Sequence, residues 1–155
     1  MKFEFPGNGK FEVLGPATPL QKDFARAAWL CAKGIMNAPF QQKDVVVNLM
    51  EAVPDDTHNT IGLAVFFAVC SAMMDVCLPK DSVCLGGVDL LGNLYFDGNN
   101  LDPFLTALEE SNLSVLMGPA VLNELPLPPN RISSVRIMGS LRADILFFLA
   151  QQNAA

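Results

Sequence analysis

The sequence is poor in histidine and in positive charge. His58 is the single histidine among 155 residues, and 10 Lys and Arg stand against 16 Asp and Glu, a net charge of −6. A zinc site usually combines histidine with closely paired cysteines, and a nucleic-acid interface usually carries a basic patch. We therefore expect no metal, no other cofactor and no nucleic-acid partner. The last arginines, Arg131, Arg136 and Arg142, are interpreted as solvated surface.

The sequence also lacks paired cysteines, a secretion signal and a membrane span. Its four cysteines form no C-x-x-C pair and lie among apolar neighbours, which is typical of reduced, buried thiols in a cytoplasmic protein. The N-terminus has no apolar signal core. The longest apolar run, residues 61–74, is too short to span a bilayer and stops at Asp75. This run predicts a buried core helix and no membrane partner.

Apolar residues are plentiful. They make up 51% of the chain and charged residues 17%, which excludes a disordered protein. A chain of this length fits one compact domain, here residues 1–155. The excess of apolar residues indicates a surface that is partly covered in the native assembly.

The first third of the chain predicts a hairpin, a helix and a strand. Residues 2–5 and 10–14 alternate polar and apolar side chains around Gly7-Asn8-Gly9, which is typical of an N-terminal β-hairpin. A helix is predicted over residues 19–36, and a buried strand over residues 43–49. The apolar face of the helix is predicted to consist of residues at helical spacing, namely Leu20, Phe24, Ala27, Cys31 and Ile35.

The rest of the chain alternates helices and strands. Helices are predicted over residues 60–74, 102–111 and 141–151. Strands are predicted over residues 82–88, 90–96, 113–117 and 135–138, with a bulge or close backbone approach at Gly86-Gly87. This order predicts an α/β domain in which the helices pack on a mixed sheet.

Several motifs resemble, in their order and spacing, the proteolytic domain of the Lon protease family. Lys43-Asp44 leads a valine-rich strand, as the family's Lys-Asp leads the strand before its nucleophile loop. The family loop reads P-K-D-G-P-S-A-G, and residues 54–62 read P-D-D-T-H-N-T-I-G. Counting back from Gly62 places Thr60 at the nucleophilic serine. The resemblance covers nearly the whole chain and implies a ribosomal S5 domain 2-like fold.

The downstream motifs keep the family's glycines and lose its charged residues. After Lys80-Asp81, residues 86–92 read G-G-V-D-L-L-G where the family has G-E-x-x-L-x-G, so Gly87 replaces the glutamate. The family's lysine motif, G-G-L-K-E-K, aligns with the stretch that begins at Gly98. With a one-residue insertion Asp102 stands at the catalytic lysine, and without the insertion Leu101 does.

The substitutions remove the chemistry of a serine–lysine dyad. Such a dyad needs a lysine that is neutral at the working pH and takes the hydroxyl proton. Threonine can supply a hydroxyl, but a carboxylate with a pKa of about 4 is a weak base for it. Its negative charge would also oppose a developing oxyanion. Thr60 and Asp102 are therefore the positions that match the catalytic pair, and we predict that they are non-functional.

The resemblance implies a catalytically inactive structural, oligomerisation or partner-interaction module. Family members assemble as rings, usually beside an AAA+ ATPase segment, and this chain carries no G-x-x-x-x-G-K-[ST] loop of its own. The expected partners are further copies of the chain or an AAA+ protein. A module that binds a peptide, protein or small molecule in the former active-site groove is a second option. The alternative is an active peptidase with Thr60 as its nucleophile.

Other chemistry around Thr60 has simpler interpretations. His58, Thr60 and Asp102 contain the ingredients of a hydroxyl–imidazole–carboxylate triad. The simpler interpretation is that His58 is a solvent-facing loop residue and that Thr60 caps a helix. Asp55 and Asp56 could bind a metal, although carboxylates also favour the positive end of a helix dipole. Lys43 and Lys80 fit surface turns and are not supported as replacement bases.

Overall fold

The computed structural model describes residues 7–36, 43–50, 61–78, 82–95, 115–118 and 134–137. These residues form an α/β protein with two helices and small sheets of few strands. The helices are α1 (Pro19–Met36) and α2 (Gly62–Met74). The strands are β1 (Phe11–Leu14), β2 (Val45–Asn48), β3 (Ser82–Cys84), β4 (Gly87–Val88), β5 (Leu94–Tyr95), β6 (Val115–Gly118) and β7 (Ser134–Ile137).

The described strands form three sheets. β1 pairs with β2 in parallel, with Phe11 opposite Val45. β6 lies between β3 and β7, and both pairings are parallel. β4 and β5 form an antiparallel hairpin. The predicted α/β class is confirmed, whereas the predicted hairpin partner at residues 2–5 and the predicted helices at 102–111 and 141–151 lie outside the described residues.

The core forms where the two helices pack against each other and against β1, β2 and β4. α2 is apolar on almost every side, which is typical of a helix buried in a core. Its largest buried side chains are Leu63, Phe66 and Phe67, and the two phenylalanine rings meet edge to face with centroids 5.6 Å apart. The expectation of a buried helix in this region is confirmed over the described residues.

The buried face of α1 differs from the predicted one. The face that packs into the core is formed largely by small residues, including Ala25, Ala28 and Ala32. Leu20, predicted on the core face, is 48% exposed. Small side chains let two helices approach closely, and long ones at the same contact would hold them apart. Cys31 belongs both to the predicted core face and to the observed buried face, because it lies at the border between them.

A reciprocal hydrogen-bonded cap fixes the start of α1. The Thr18 backbone N–H donates to Oε1 of Gln21 at 3.0 Å, and the Gln21 N–H donates to Oγ1 of Thr18 at 3.2 Å. This is a capping box, in which two backbone donors that lack helical partners are satisfied together. Pro19 occupies the first helical position, where a missing N–H costs little. The fully buried Gln21 side chain is explained by this cap.

An aromatic stack joins β1 to α1. The rings of Phe11 and Trp29 lie 5.0 Å apart and are nearly parallel. The Lys33 ammonium lies 5.2 Å from the Trp29 ring, and the Arg26 guanidinium 5.9 Å from the Phe11 ring. Each cation therefore lies within the range of cation–π attraction. The stack fixes the position of α1 over the first sheet.

Candidate functional site

The start of α2 is seated directly on the backbone of β4. The Leu63 N–H donates to the Gly86 carbonyl oxygen at 2.9 Å. Ile61, at the helix N-cap, provides no side-chain hydrogen bond, so a carbonyl from another segment satisfies this helical N–H instead. A Cβ on Gly62 would lie 3.0 Å from the Val88 nitrogen and 3.4 Å from the Gly87 Cα. Glycine at residue 62 is what allows this close approach.

The predicted strand over residues 82–88 is divided at this point. β3 ends at Cys84 and β4 begins at Gly87, with Gly86 at a φ of 141° between them. That backbone angle is strained for residues with a side chain, and it directs the Gly86 carbonyl towards α2. The prediction of a single continuous strand was therefore wrong, whereas the predicted close backbone approach at Gly86-Gly87 is confirmed.

The ring of Tyr95 fills the space beside Gly87. The two residues are directly opposite in the β4–β5 hairpin. A Cβ on Gly87 would overlap the Tyr95 ring atoms Cε2 and Cζ. An aromatic side chain packed over a glycine on the facing strand is a known way of stabilising a strand pair. The space beside Gly87 is thus closed by a tyrosine ring in this structure.

The turn that joins β4 to β5 is held by one carboxylate. Asp89 Oδ1 accepts hydrogen bonds from the N–H groups of Leu91 at 2.9 Å and Asn93 at 2.8 Å, and its Oδ2 accepts one from Asn93 Nδ2 at 2.9 Å. The bonds from the Asn93 side chain and backbone hold the pKa of Asp89 below its usual value. Burial, and secondarily the Asp89 charge, raises the pKa of Tyr95. Tyr95 is therefore a neutral phenol at physiological pH.

The cysteines near this junction are poor nucleophiles. Burial raises the pKa of Cys31 to about 11, with a smaller effect from Asp89. Burial also raises the pKa of Cys70 and of Cys84 to about 12. All four cysteines are free, but Cys77 is exposed, so the expectation that every thiol is buried was wrong. Cys77 follows the end of α2 and lies between Val76 and Leu78, both of which contact the core.

Asp44 ties the first two strands together at their starts. Its Oδ1 accepts hydrogen bonds from the N–H groups of Asn8 at 2.8 Å and Lys10 at 2.9 Å. These bonds, that from Lys10 first and that from Asn8 second, hold the pKa of Asp44 below its usual value. In this structure the aspartate of the Lys43-Asp44 motif therefore has an architectural role, since it fixes how β1 enters its parallel pairing with β2.

Most residues singled out from the sequence lie outside the described part of the chain. Thr60 immediately precedes Ile61, the N-cap residue of α2, and lies outside the described residues, as do Asp102 and Leu101. The same holds for four residues of the alternative sites, namely Asp55, Asp56, His58 and Lys80. What the structure does bring together are two glycines of the motifs, Gly62 and Gly87.

Sequence reasoning missed the cap from Gly86 and the ring of Tyr95. The signal for Tyr95 was present, because a turn at residues 90–92 places residue 95 opposite Gly87. The segments that contain α2, β3, β4 and β5, residues 61–78 and 82–95, include no lysine or arginine. These elements therefore supply no cationic group and no amine base to the start of α2.

Among the described residues, no group of three or more His, Cys, Asp or Glu is arranged to hold a metal ion. No helix in the described ranges has the length and apolar character required to cross a membrane. A scan against protein-family models finds no match, and a search of curated proteins finds none either.

Proposed function

We propose that this chain is a Lon-protease-like domain without peptidase activity, which serves as a structural, oligomerisation or partner-interaction module. The observation that carries the proposal is the junction between α2 and β4. Gly62, which matches a family glycine, is packed here against the backbone of Gly87 and Val88, and the described segments 61–78 and 82–95 supply no lysine or arginine to this contact. Gly87 stands at the glutamate position, and a neutral tyrosine ring covers it.

The backbone at this junction also supports an architectural role. Acyl transfer requires backbone or side-chain donors directed at the developing oxyanion. The Leu63 N–H, in the first turn of α2, is already bonded to the Gly86 carbonyl. This donor stabilises the contact between helix and strand, so it is not available to a substrate oxygen in this arrangement.

A catalytic base is the second missing component. Under the motif alignment the lysine position holds Asp102 or Leu101. General-base assistance typically contributes about 10²–10⁴-fold to a rate, and a carboxylate would add repulsion where an oxyanion forms. Thr60 alone would be a weakly activated hydroxyl.

The proposed partners follow from this loss. A domain of this kind that no longer cleaves peptides can keep its fold and its contacts with other subunits. We propose further copies of the chain or an AAA+ ATPase as partners, in the cytoplasm, with the former groove retained as a surface for a peptide or protein. The exposed apolar side chains on α1 and at the β4–β5 turn support an assembly role.

A degradation assay tests the proposal. The purified protein is incubated with casein, alone and with an acylating serine-hydrolase probe, beside a Thr60→Ala variant. We expect no cleavage and no labelling in either protein. Cleavage that disappears in Thr60→Ala would overturn the proposal, whereas cleavage that survives it identifies a contaminating protease.

Reversion provides a second arm. Nucleophile and base act as a unit in such sites, so Thr60→Ser or Asp102→Lys alone is expected to leave the protein inactive. Activity in Thr60→Ser would show that a working base is already present and would contradict the proposed loss, whereas activity in Asp102→Lys would show that the Thr60 hydroxyl is a competent nucleophile once a base is supplied. The double variant is the minimal restoration, with Gly87 and the loop before Thr60 still differing from the family.

A further inference from the structure

The segment before β1 contains an asparagine that is followed directly by glycine. Asn8 precedes Gly9, whereas every other asparagine of the sequence precedes a larger residue. Asparagine is chemically labile, because the backbone nitrogen of the next residue can attack its side-chain amide. A side chain on that next residue hinders the attack, and glycine has none, so the backbone can approach closely. The sequence thus brings the two reacting groups together at residues 8 and 9.

The structure leaves the side chain of Asn8 free to react. Asn8 is exposed, and its side-chain amide forms no hydrogen bond in the part of the chain that the structure describes. Asn48 and Asn93 are also exposed, but their side chains are engaged. Asn48 Nδ2 donates to Met50 Sδ at 3.4 Å, and Asn93 Nδ2 donates to Asp89 Oδ2 at 2.9 Å. Each of these two asparagines is also followed by leucine.

Deamidation at this pair needs no reactant other than water. The Gly9 backbone nitrogen forms a bond to Cγ of Asn8, the bond from Cγ to Nδ2 breaks, and the amide leaves as ammonia with the proton from the Gly9 N–H. The product is a five-membered succinimide ring. Water then opens the ring at one of its two carbonyl groups. Attack at Cγ gives aspartate, and attack at the main-chain carbonyl gives isoaspartate, in which the main chain runs through Cγ.

Asn8 lies in the segment that wraps around Asp44. The N–H groups of Asn8 and Lys10 both donate to Asp44 Oδ1, at 2.8 and 2.9 Å. The Gly9 N–H, between these two, contributes least to the hold on this carboxylate. Gly9 has a φ of 73°, which glycine adopts without strain. The nitrogen that must attack is therefore the least restrained of the three.

The isoaspartate product does not fit this arrangement. It adds one methylene to the main chain between the two N–H groups that converge on Asp44 Oδ1. The segment has little room to absorb the added atom, since a Cβ on Gly7 would lie 2.5 Å from the Asp44 nitrogen. The product also introduces a carboxylate into a segment bonded to Asp44, and like charges repel. The Lys10 carbonyl accepts the Val45 N–H at 2.8 Å, so a shift at Lys10 extends to the pairing of β1 with β2.

We propose that Asn8 is a site of spontaneous deamidation, and that its isoaspartate product releases the hold of Asp44 on the start of β1. The modification accumulates with the age of the folded protein and loosens the entry to the β1–β2 pairing. It is independent of the proposed loss of peptidase activity, because none of these residues belongs to the junction between α2 and β4.

Peptide mapping of the aged protein tests the modification. The full chain is kept folded at pH 8 and physiological temperature, and its peptides are weighed at intervals. The peptide that contains Asn8 should gain about one dalton and become a substrate for an isoaspartyl methyltransferase, while those with Asn48 and Asn93 change more slowly. Asn8→Gln should remove both signals, since its longer side chain cannot form the five-membered ring. An Asn8 that stays intact, or that deamidates only in urea-unfolded protein, would overturn the proposal.

Hydrogen exchange tests the structural consequence. The N–H groups of Lys10 and Val45 are hydrogen-bonded and should exchange slowly in fresh protein. In aged wild type both should exchange faster, in proportion to the isoaspartate content, whereas aged Asn8→Gln should keep the fresh rates. Exchange that is unchanged in isoaspartate-containing protein would refute the release of Asp44.

Asn8→Asp is the matched control, because it adds the charge without lengthening the main chain. It should keep most of the protection at Lys10 and Val45. Fresh Asn8→Asp that exchanges as fast as aged wild type would show that charge alone loosens the strand start, and would refute the role of the lengthened main chain. Circular dichroism should show folded protein in every variant, as Asn8 is on the surface.

Discussion

Replacing Gly62 by alanine tests the contact between α2 and β4 directly. The added Cβ would lie 3.0 Å from the Val88 nitrogen, which is tighter than an ordinary van der Waals contact. The neighbouring atoms are backbone atoms and have little freedom to move, because β4 pairs with β5 and the Gly86 carbonyl is bonded to Leu63. Overpacking of this kind typically costs about 1–3 kcal/mol.

A helix-propensity gain opposes this cost. Alanine is favoured over glycine inside helices by up to about 1 kcal/mol, and the gain is smaller at a helix end. We therefore expect Gly62→Ala to lower the free energy of unfolding by about 1 kcal/mol, the excess of overpacking over propensity. For a domain of this size that corresponds to a fall in Tm of roughly 2–4 °C.

Ala68→Gly, in the same helix, is the matched control. Ala68 is exposed, so this change reports the helix propensity alone and should destabilise by about 0.5–1 kcal/mol. Urea unfolding followed by circular dichroism measures both variants, and equal m-values would confirm that only stability changed. Suppose that Gly62→Ala is as stable as wild type, or more stable, while Ala68→Gly shows its expected loss of unfolding free energy. The close approach between α2 and β4 is then not present.

Two further predictions concern ionisable groups. The pKa of Asp44 is lowered in the folded protein, so its contribution to stability is complete above the unfolded pKa of about 3.9 and is lost as the pH falls through the folded pKa. Asp44→Asn should therefore flatten the acid limb of the curve of stability against pH. An unchanged acid limb would argue against the role of Asp44 at the starts of the two strands. Cys77 is the exposed thiol, whereas burial raises the pKa of Cys31 to about 11 and that of Cys70 and Cys84 to about 12. A thiol reagent at pH 8 should modify Cys77 rapidly, the half-buried Cys84 slowly, and Cys31 and Cys70 only on unfolding, and Cys77→Ser should remove the rapid phase.

Local patterns predicted the two described helices and several of the described strands well. The bounds of α1 match the expectation because Pro19 marks its start and apolar residues recur along it at helical spacing. A run of valines marks β2. The predicted strand at residues 113–117 corresponds to β6, and that at 135–138 to β7, each displaced by one or two residues. Signals of this kind depend only on neighbouring residues, so they can be read without knowledge of the fold.

Contacts between distant segments were harder to predict. The apolar period of α1 identified a helix but not the face it buries, because the choice of face depends on how closely α2 can approach. Small residues occupy that contact, and the larger side chain of Leu20 is left half-exposed. The break at Gly86 has the same origin, since its carbonyl bonds to a helix more than twenty residues earlier in the chain.

The glycines in the motifs therefore need to be separated from the chemistry that the motifs usually accompany. Gly62 permits close backbone packing, and Gly87 makes room for the ring of Tyr95. Both requirements are steric and concern the junction between helix and hairpin, so neither depends on a nucleophile before the helix. Under the proposed alignment Gly62, Gly86 and Gly92 match family glycines, whereas Gly87 stands at the family's glutamate. In this arrangement a glutamate at residue 87 would place its Cβ on the Tyr95 ring. The glycine at residue 87 is therefore explained by the packing of this junction, independently of any chemistry.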